Sequence, residues 1–331
     1  MTDSGKWTDH PVLVTGATGI VGSWLCKELV ERDAHVVALV QDADPESELF
    51  RSGTINHVTV VNGNLEDFRT VERAINEHGV NTVIHLGAQA IVGAALRSPL
   101  ATFETNIRGT YNLLEACRLH SDLVQSVVIA SSDKAYGSHE ELPYSEDAPL
   151  IGRHPYDVSK TCADLIARSY YETYDLPVAI ARCGNIFGGG DLNWSRIVPT
   201  AIRAFLDHKS PIIRSDGTFI RDYLYVKDAV SAYLTLAEAL RDDAVQGEAF
   251  NFGNDKPISV LELVSEIQDL MEAHDIEPTV LGTATAEIHS QYLSSRKAKD
   301  VLGWTPSNDL RSGLAESINW YRDFLEAKSD V

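Results

Sequence analysis

The sequence predicts an α/β chain, a doubly wound parallel sheet followed by a smaller C-terminal α/β lobe, and three observations predict it. Short apolar runs ending in polar turns recur at 12–15, 36–40, 58–61, 82–86, 127–131 and 178–182, with helix-period segments between them. That alternation reads as parallel strands joined by crossover helices. The first run is followed directly by a glycine-rich turn that opens an amphipathic helix. Beyond Gly184 the rhythm changes to glycine-rich loops, a helix near 198–206, a strand at 221–226 and several late helices. The expected division is therefore 1–183 for the sheet domain and 184–331 for the second lobe.

The turn after the first strand reads Thr15-Gly16-Ala17-Thr18-Gly19-Ile20-Val21-Gly22, a G-x-x-G-x-x-G spacing. Glycines there permit a tight turn, let backbone N–H groups approach a pyrophosphate and let the helix pack closely on the sheet, with the helix N-terminus facing the anion. Gly16, Thr18, Gly19, Ile20 and Gly22 are accordingly candidate dinucleotide contacts. Asp42 lies twenty residues after Gly22 at the end of the second strand, where a carboxylate accepts hydrogen bonds from an adenosine ribose. No Arg stands between Val36 and Asp44 to receive a 2′-phosphate, which favours NAD over NADP.

Composition narrows the function classes. The chain has 331 residues, 44% hydrophobic and 23% charged, as expected of an ordinary globular protein. Its net charge of -20, from 48 acidic and 28 basic residues, argues against sequence-independent binding to nucleic acid, which needs clustered cations. Cys26, Cys117, Cys162 and Cys183 are widely spaced and form no CxxC pair, so neither a zinc site nor a disulfide framework is expected. The polar start MTDSGKWTDHP is unlike a signal segment, and no apolar run reaches the ~18 residues of a membrane span. A cytoplasmic location, no membrane and no metal are expected.

The fifth strand ends in Ser131-Ser132-Asp133-Lys134-Ala135-Tyr136-Gly137, two opposite charges where a buried strand should stop. One loop later, Tyr156-Asp157-Val158-Ser159-Lys160 puts a phenol and an ammonium at i and i+4 on one helix face. A nearby cation favours phenolate and lowers a pKa of about 10, so Tyr156 can take a proton from a sugar hydroxyl while Ser132 bonds the same hydroxyl. Tyr223-Leu224-Tyr225-Val226-Lys227 fits the same expression but lies in a strand-like alternation. His85 and His154, beside strand and helix ends, read as structural. The segments 96–117 and 156–174 carry apolar residues on more than one face, as expected if two subunits pack them into a four-helix bundle.

Together these motifs resemble the extended short-chain dehydrogenase/reductases, and within them the nucleotide-sugar epimerases and dehydratases, over Val12 to about Trp320. The resemblance rests on His85-Leu86-Gly87-Ala88-Gln89, the block from Thr102 through Asn106 to Thr110, Ser132-Asp133-Lys134, His154-Pro155-Tyr156 and the stretch from Arg182 to Asp191. Its middle is most similar to the CDP-glucose 4,6-dehydratases. What the resemblance implies is a Rossmann domain holding NAD, with Asn64, Leu65, Leu86 and Ala88 added to the cofactor contacts, and Tyr156 and Lys160 serving both cofactor and catalysis. It also implies a homodimer, and a nucleotide-diphosphate hexose held by Gln89, Asn185 and Arg221, with Arg196 as a second cation. A guanidinium clamps a diphosphate bidentately, as lysine cannot.

Related dehydratases carry Asp followed by an acidic residue or Lys at this strand end. Oxidising C4 of a hexose acidifies the C5 hydrogen; losing it while the C6 hydroxyl departs as water gives an enone that a hydride reduces at C6. Asp133 is then the acid for the C6 hydroxyl and Lys134 the base or charge partner near C5, which requires the Asp133 pKa to rise and the Lys134 pKa to fall. A 4-epimerase would use the same Ser132, Tyr156 and Lys160 and return the hydride to C4; a non-catalytic nucleotide-binding protein would use none of them. Gly93-Ala94-Ala95 stands where the CDP-glucose enzymes place Arg-Arg-Ser, and 221–226 has the generic form of the wider family, so base and hexose stay open.

Overall fold

The computed structural model describes residues 7–8, 10–283 and 288–329. The first six residues of the polar start, 1–6, lie outside it.

All six expected strands form: β1 (Val12–Thr15), β2 (Val36–Val40), β3 (Thr59–Asn62), β4 (Thr82–His85), β5 (Ser126–Ala130) and β6 (Val178–Cys183). They pair in parallel, in the order β6, β5, β4, β1, β2, β3, and the strand Ala249–Phe252 joins beside β6 as a seventh. That strand returns from beyond residue 184, so the second half of the chain also contributes to the sheet. Its Phe-Asn-Phe alternation, with Asn251 wholly buried, kept it from resembling the six apolar runs.

Because side chains alternate across a strand, each strand feeds two cores. Val12 and Val14 face Leu25, Cys26 and Leu29 of the helix α1 (Ile20–Glu31) and the helix Val226–Ala239. Leu13, Val37 and Leu39 face the helices Phe68–Glu77, Gly109–Leu119 and Pro155–Tyr174. A third core, around Phe187, Ile202, Phe205, Tyr223, Leu263 and Tyr321, belongs to the smaller lobe.

Two expected elements differ. The strand at 221–226 is instead Ile220–Arg221 and Tyr223–Tyr225, and Val226 begins a helix. Asp222 breaks the strand because its buried carboxylate accepts the Asn254 backbone N–H at 3.0 Å, while Ala229, Val230 and Tyr233 bury at helical spacing. The segment at 96–117 comprises Val92–Arg97, Pro99–Phe103, a π turn at Glu104–Arg108 and Gly109–Leu119. The break falls at Ser98, whose φ of -138 and ψ of 72 avoid the helical region that a following proline disfavours.

Candidate active site

The C-terminal ends of β1, β4, β5 and β6 open into one cleft of about 1660 Å³, shared by the sheet and the smaller lobe. Ligand crevices of doubly wound sheets lie at this edge.

At its first end the chain turns through Gly16, whose φ of 68 is left-handed. A Cβ there would sit 2.8 Å from the Gly87 nitrogen, and one on Gly22 would sit 2.1 Å from the Gly16 carbonyl oxygen. Only glycine allows α1 to approach β1 and β4 this closely. α1 begins after Gly19 with no capping side chain and no acidic residue in its first turn, so its first N–H groups face the cleft. Thr18, Ile20, Asp42, Leu65, Leu86 and Ala88 line the same end. Asn64 does not: it is exposed on the turn after β3, and its neighbours Gly63 and Glu66 face the cleft.

His85 is buried, its two ring nitrogens 2.8 Å from Thr15 Oγ1 and 3.1 Å from Thr110 Oγ1. Burial, with the Lys160 charge beside it, pulls its pKa down to about 3, so the ring is a neutral tie between β1, β4 and the helix Gly109–Leu119. Asn106, in the π turn, donates to Ser159 Oγ at 2.9 Å and accepts the Gln89 backbone N–H at 2.7 Å. It thereby fixes the helix Pro155–Tyr174 against the loop that carries Gln89. The Gln89 side chain itself accepts the Ile91 N–H at 3.2 Å at the cleft wall.

The strand end and the helix Pro155–Tyr174 meet as the spacing predicts. Ser132 Oγ donates to Asp133 Oδ1 at 3.0 Å and lies beside the Tyr156 hydroxyl, whose pKa it lowers. Lys160 Nζ donates to the Ala130 carbonyl at 2.8 Å, and burial draws its pKa down to about 8. The expected depression of the Tyr156 pKa is not found. Burial pushes the phenol up to about 12, against the pull of Arg196 and of Ser132 beside it.

Asp133 is 2% exposed, and burial raises its pKa against the opposing pull of Lys134, Ser132 and Arg221. Among the described residues its Oδ2 has no hydrogen-bond partner, nor does the Asn185 side-chain nitrogen or Ser131 Oγ. Buried polar atoms left without partners cost roughly 1–3 kcal/mol each, so three of them around one cleft mark where a ligand's groups complete the bonding.

The substrate candidates converge from the smaller lobe. Asn185 lies on the short strand Asn185–Phe187 beside Tyr223–Tyr225. Arg221 is held by bonds from Nη1 to the Ile220 and His289 carbonyls at 2.8 and 2.9 Å and lies over the Phe219 ring. Arg196 pairs with Asp191 at 3.2 Å. Tyr223 and Lys227 are not a second site: they sit on different elements, and Lys227 pairs with Glu316. Sequence reasoning missed Gln291 on the cleft wall, which no motif surrounds, and gave no role to Cys183 and Asp191, which line the cleft within the stretch from Arg182 to Asp191.

The model for the GDP-mannose 4,6 dehydratase family matches residues 13–317. A CDP-glucose 4,6-dehydratase of Salmonella typhimurium is 30% identical over 342 residues, covering 99% of this chain and 95% of that protein. A crystal structure of a Thermotoga maritima UDP-glucose 4-epimerase with UDP-glucose superposes with a TM-score of 0.87 at 26% identity, covering 95% of this chain and 99% of that one. A dTDP-glucose 4,6-dehydratase of Bacillus anthracis in complex with NAD gives 0.83 at 25% identity, covering 96% and 98%. With its glycine turn, its Ser132/Tyr156/Lys160 set and its Asp133–Lys134 pair on one cleft, the chain belongs to the GDP-mannose 4,6 dehydratase family of nucleotide-sugar enzymes.

Proposed function

We propose that this protein is an NAD-dependent nucleotide-sugar 4,6-dehydratase that converts an NDP-hexose into its 4-keto-6-deoxy derivative. The observation that carries this reading is Asp133: a buried carboxyl, with its pKa raised and one oxygen unpartnered, beside the serine and tyrosine that would handle the C4 hydroxyl. A simple 4-epimerisation has no use for such an acid.

The cofactor end fits a dinucleotide. The close glycine approach at Gly16 and Gly22 leaves room for a pyrophosphate on the free N–H groups of α1, and Asp42 is exposed for a ribose. Gly16, Thr18, Gly19, Ile20, Gly22, Leu65, Leu86 and Ala88 would hold it, with Tyr156 and Lys160 at the nicotinamide end. When bound, NAD accepts the C4 hydrogen with its electron pair and returns it at C6.

The protein's own groups then move protons. Tyr156, aligned by Ser132, takes the O4 proton, which leaves a ketone at C4. Lys134, in its neutral amine form, receives the C5 proton, and Asp133 gives its proton to the C6 hydroxyl, which leaves as water. Return of the proton from Lys134 to C5 and passage of the O4 proton from Tyr156 to Asp133 complete the turnover, so the substrate loses one water and no external oxidant is consumed. Gln89, Asn185, Arg196 and Arg221 would hold the diphosphate-sugar, which assigns 184–331 mainly to the sugar nucleotide and 1–183 mainly to the cofactor.

The same reading includes a homodimer built on the helices Gly109–Leu119 and Pro155–Tyr174, supported by the exposure of Tyr111, Leu119, Leu165 and Tyr174 on them. It also includes a cytoplasmic location, to which four unbridged cysteines are suited.

A 4-epimerase is the second reading, favoured by the TM-score of 0.87 to an epimerase. Incubation with CDP-, dTDP-, UDP- and GDP-hexoses decides between them by product mass. Loss of one water from at least one member is expected. Inversion at C4 with no change in mass would establish the epimerase instead.

A further inference from the structure

We propose that Gln291 is a positioning residue that aims the Asp133–Lys134 pair for removal of water. The inference rests on the dehydratase reading and assigns a task to a side chain on neither catalytic element.

Gln291 lies 158 residues beyond Asp133, on the short strand Ser290–Gln291 of the smaller lobe, and is wholly buried. Both ends of its amide are engaged by consecutive residues of the strand-end turn. Nε2 donates to the Asp133 carbonyl at 3.1 Å, and Oε1 accepts from Lys134 Nζ at 3.1 Å. The orientation of the amide is fixed by chemistry, since a carbonyl only accepts and an ammonium only donates. A flipped Gln291 would lose both bonds.

The partner's lack of charge matters as much as its place. Lys134 ends a flexible four-carbon stem, and both Asp133 and Asp157 feel its charge. An ammonium resting on Asp133 would hold that carboxylate ionised and unable to donate a proton. Gln291 gives Lys134 a buried acceptor that adds no charge. Asp133 Oδ2 is left without a protein partner, available to a substrate hydroxyl. Strand pairing ties this clamp to the substrate end, because Gln291 is in parallel register with Arg221. The strand pair that carries the candidate diphosphate arginine thus also carries the residue that aims the acid–base pair.

Gln291→Met keeps length and volume and removes both bonds, whereas Gln291→Glu keeps an acceptor for Lys134. The first measurement needs no substrate: the full-length protein is treated with limiting acetic anhydride, and acylation of Lys134 is read by peptide mass, with Lys227 as reference. Acylation is expected to rise about tenfold in Gln291→Met, the effect of losing a hydrogen bond to a charged group, and to stay near the parental rate in Gln291→Glu. The second uses the NDP-hexose that the parent dehydrates. Gln291→Met is expected to lose water about 10²-fold more slowly, as a misplaced catalytic group does, while C4 oxidation read by nicotinamide absorbance is unchanged. Unchanged Lys134 acylation, or equal slowing of both half-reactions, would overturn the clamp. A parent that inverts C4 without losing water removes the dehydratase reading and the proposal together, whereas a dehydrating parent matched by Gln291→Met removes the proposal alone.

Discussion

Tyr156 and Asp133 show how one buried neighbourhood sets different tasks for different groups. Burial raises the pKa of both, which suits Asp133 as an acid and leaves Tyr156 with a phenol at about 12 that must be lowered before it can act as a base. Tyr156→Phe is expected to bind NAD as the parent does, by calorimetry, and to lose turnover by about 10²- to 10⁴-fold, the usual contribution of a positioned acid or base. Near-parental turnover would remove the role. Asp133→Ala keeps Ser132, Tyr156 and Lys160, so C4 oxidation should continue while water loss falls by about 10²-fold or more, read by nicotinamide absorbance beside product mass. Dehydration at the parental rate would make Asp133 an inert strand end. Asp222, beneath Asn185, has a pKa raised to about 7, chiefly by burial. A carboxyl whose folded pKa is raised stabilises the fold below its unfolded pKa of 3.8, and that contribution is lost as pH rises through 7. The melting temperature of Asp222→Asn should therefore gain on the parent from pH 4 to pH 8, and a constant difference across that range would contradict the assignment.

At the scale of elements, the turn Asp133–Tyr136 holds its shape through a buried polar network. Arg182 on β6 binds Asp164 of the catalytic helix through two bonds of 2.8 and 2.9 Å and donates to the Tyr136 hydroxyl at 2.8 Å. Tyr136 donates to Asn251 on the seventh strand at 2.7 Å and stacks on Tyr144, which in turn donates to the Gly137 carbonyl. β6, the helix Pro155–Tyr174 and the turn after β5 are thus joined by charge-assisted bonds away from water. Removing one partner of such a pair strands a buried charge. Arg182→Met is expected to cost about 3–5 kcal/mol in denaturant unfolding, and Arg182→Met with Asp164→Leu to cost less than the single change. A single variant as stable as the parent would show the network to be dispensable.

At the scale of the whole molecule, exposed apolar side chains gather on the helices Pro99–Phe103, Gly109–Leu119 and Pro155–Tyr174. Leu100 is 71% exposed and Leu165 56%, on consecutive helical segments that also bear Tyr111 and Leu119. The parent is expected to run as a dimer in light scattering at micromolar concentration, and Leu100→Glu with Leu165→Glu as a monomer that keeps its melting profile in the sheet domain. A monomeric parent would contradict the dimer.

The six apolar runs and the glycine turn were readable because their information is local: a buried parallel strand needs continuous apolar residues, and a tight turn under a helix needs glycine at fixed spacing. Ser132, Asp133, Tyr156 and Lys160 were legible for the same reason, each pair lying within five residues on one element. The seventh strand was not, since a four-residue segment with a buried asparagine becomes a strand only when β6 offers it an edge. The Tyr156 pKa was not either, because the burial that raises it arises only in the folded chain. Gln291 lies furthest from legibility: 158 residues separate it from Asp133, and only the pairing of Ser290–Gln291 with Ile220–Arg221 brings its amide to the acid–base pair. Sequence by itself determined the sheet, the turn and the candidate site residues, through spacings that local backbone geometry enforces; tertiary structure decided their burial, their supports and their alignment, which depend on contacts between distant segments.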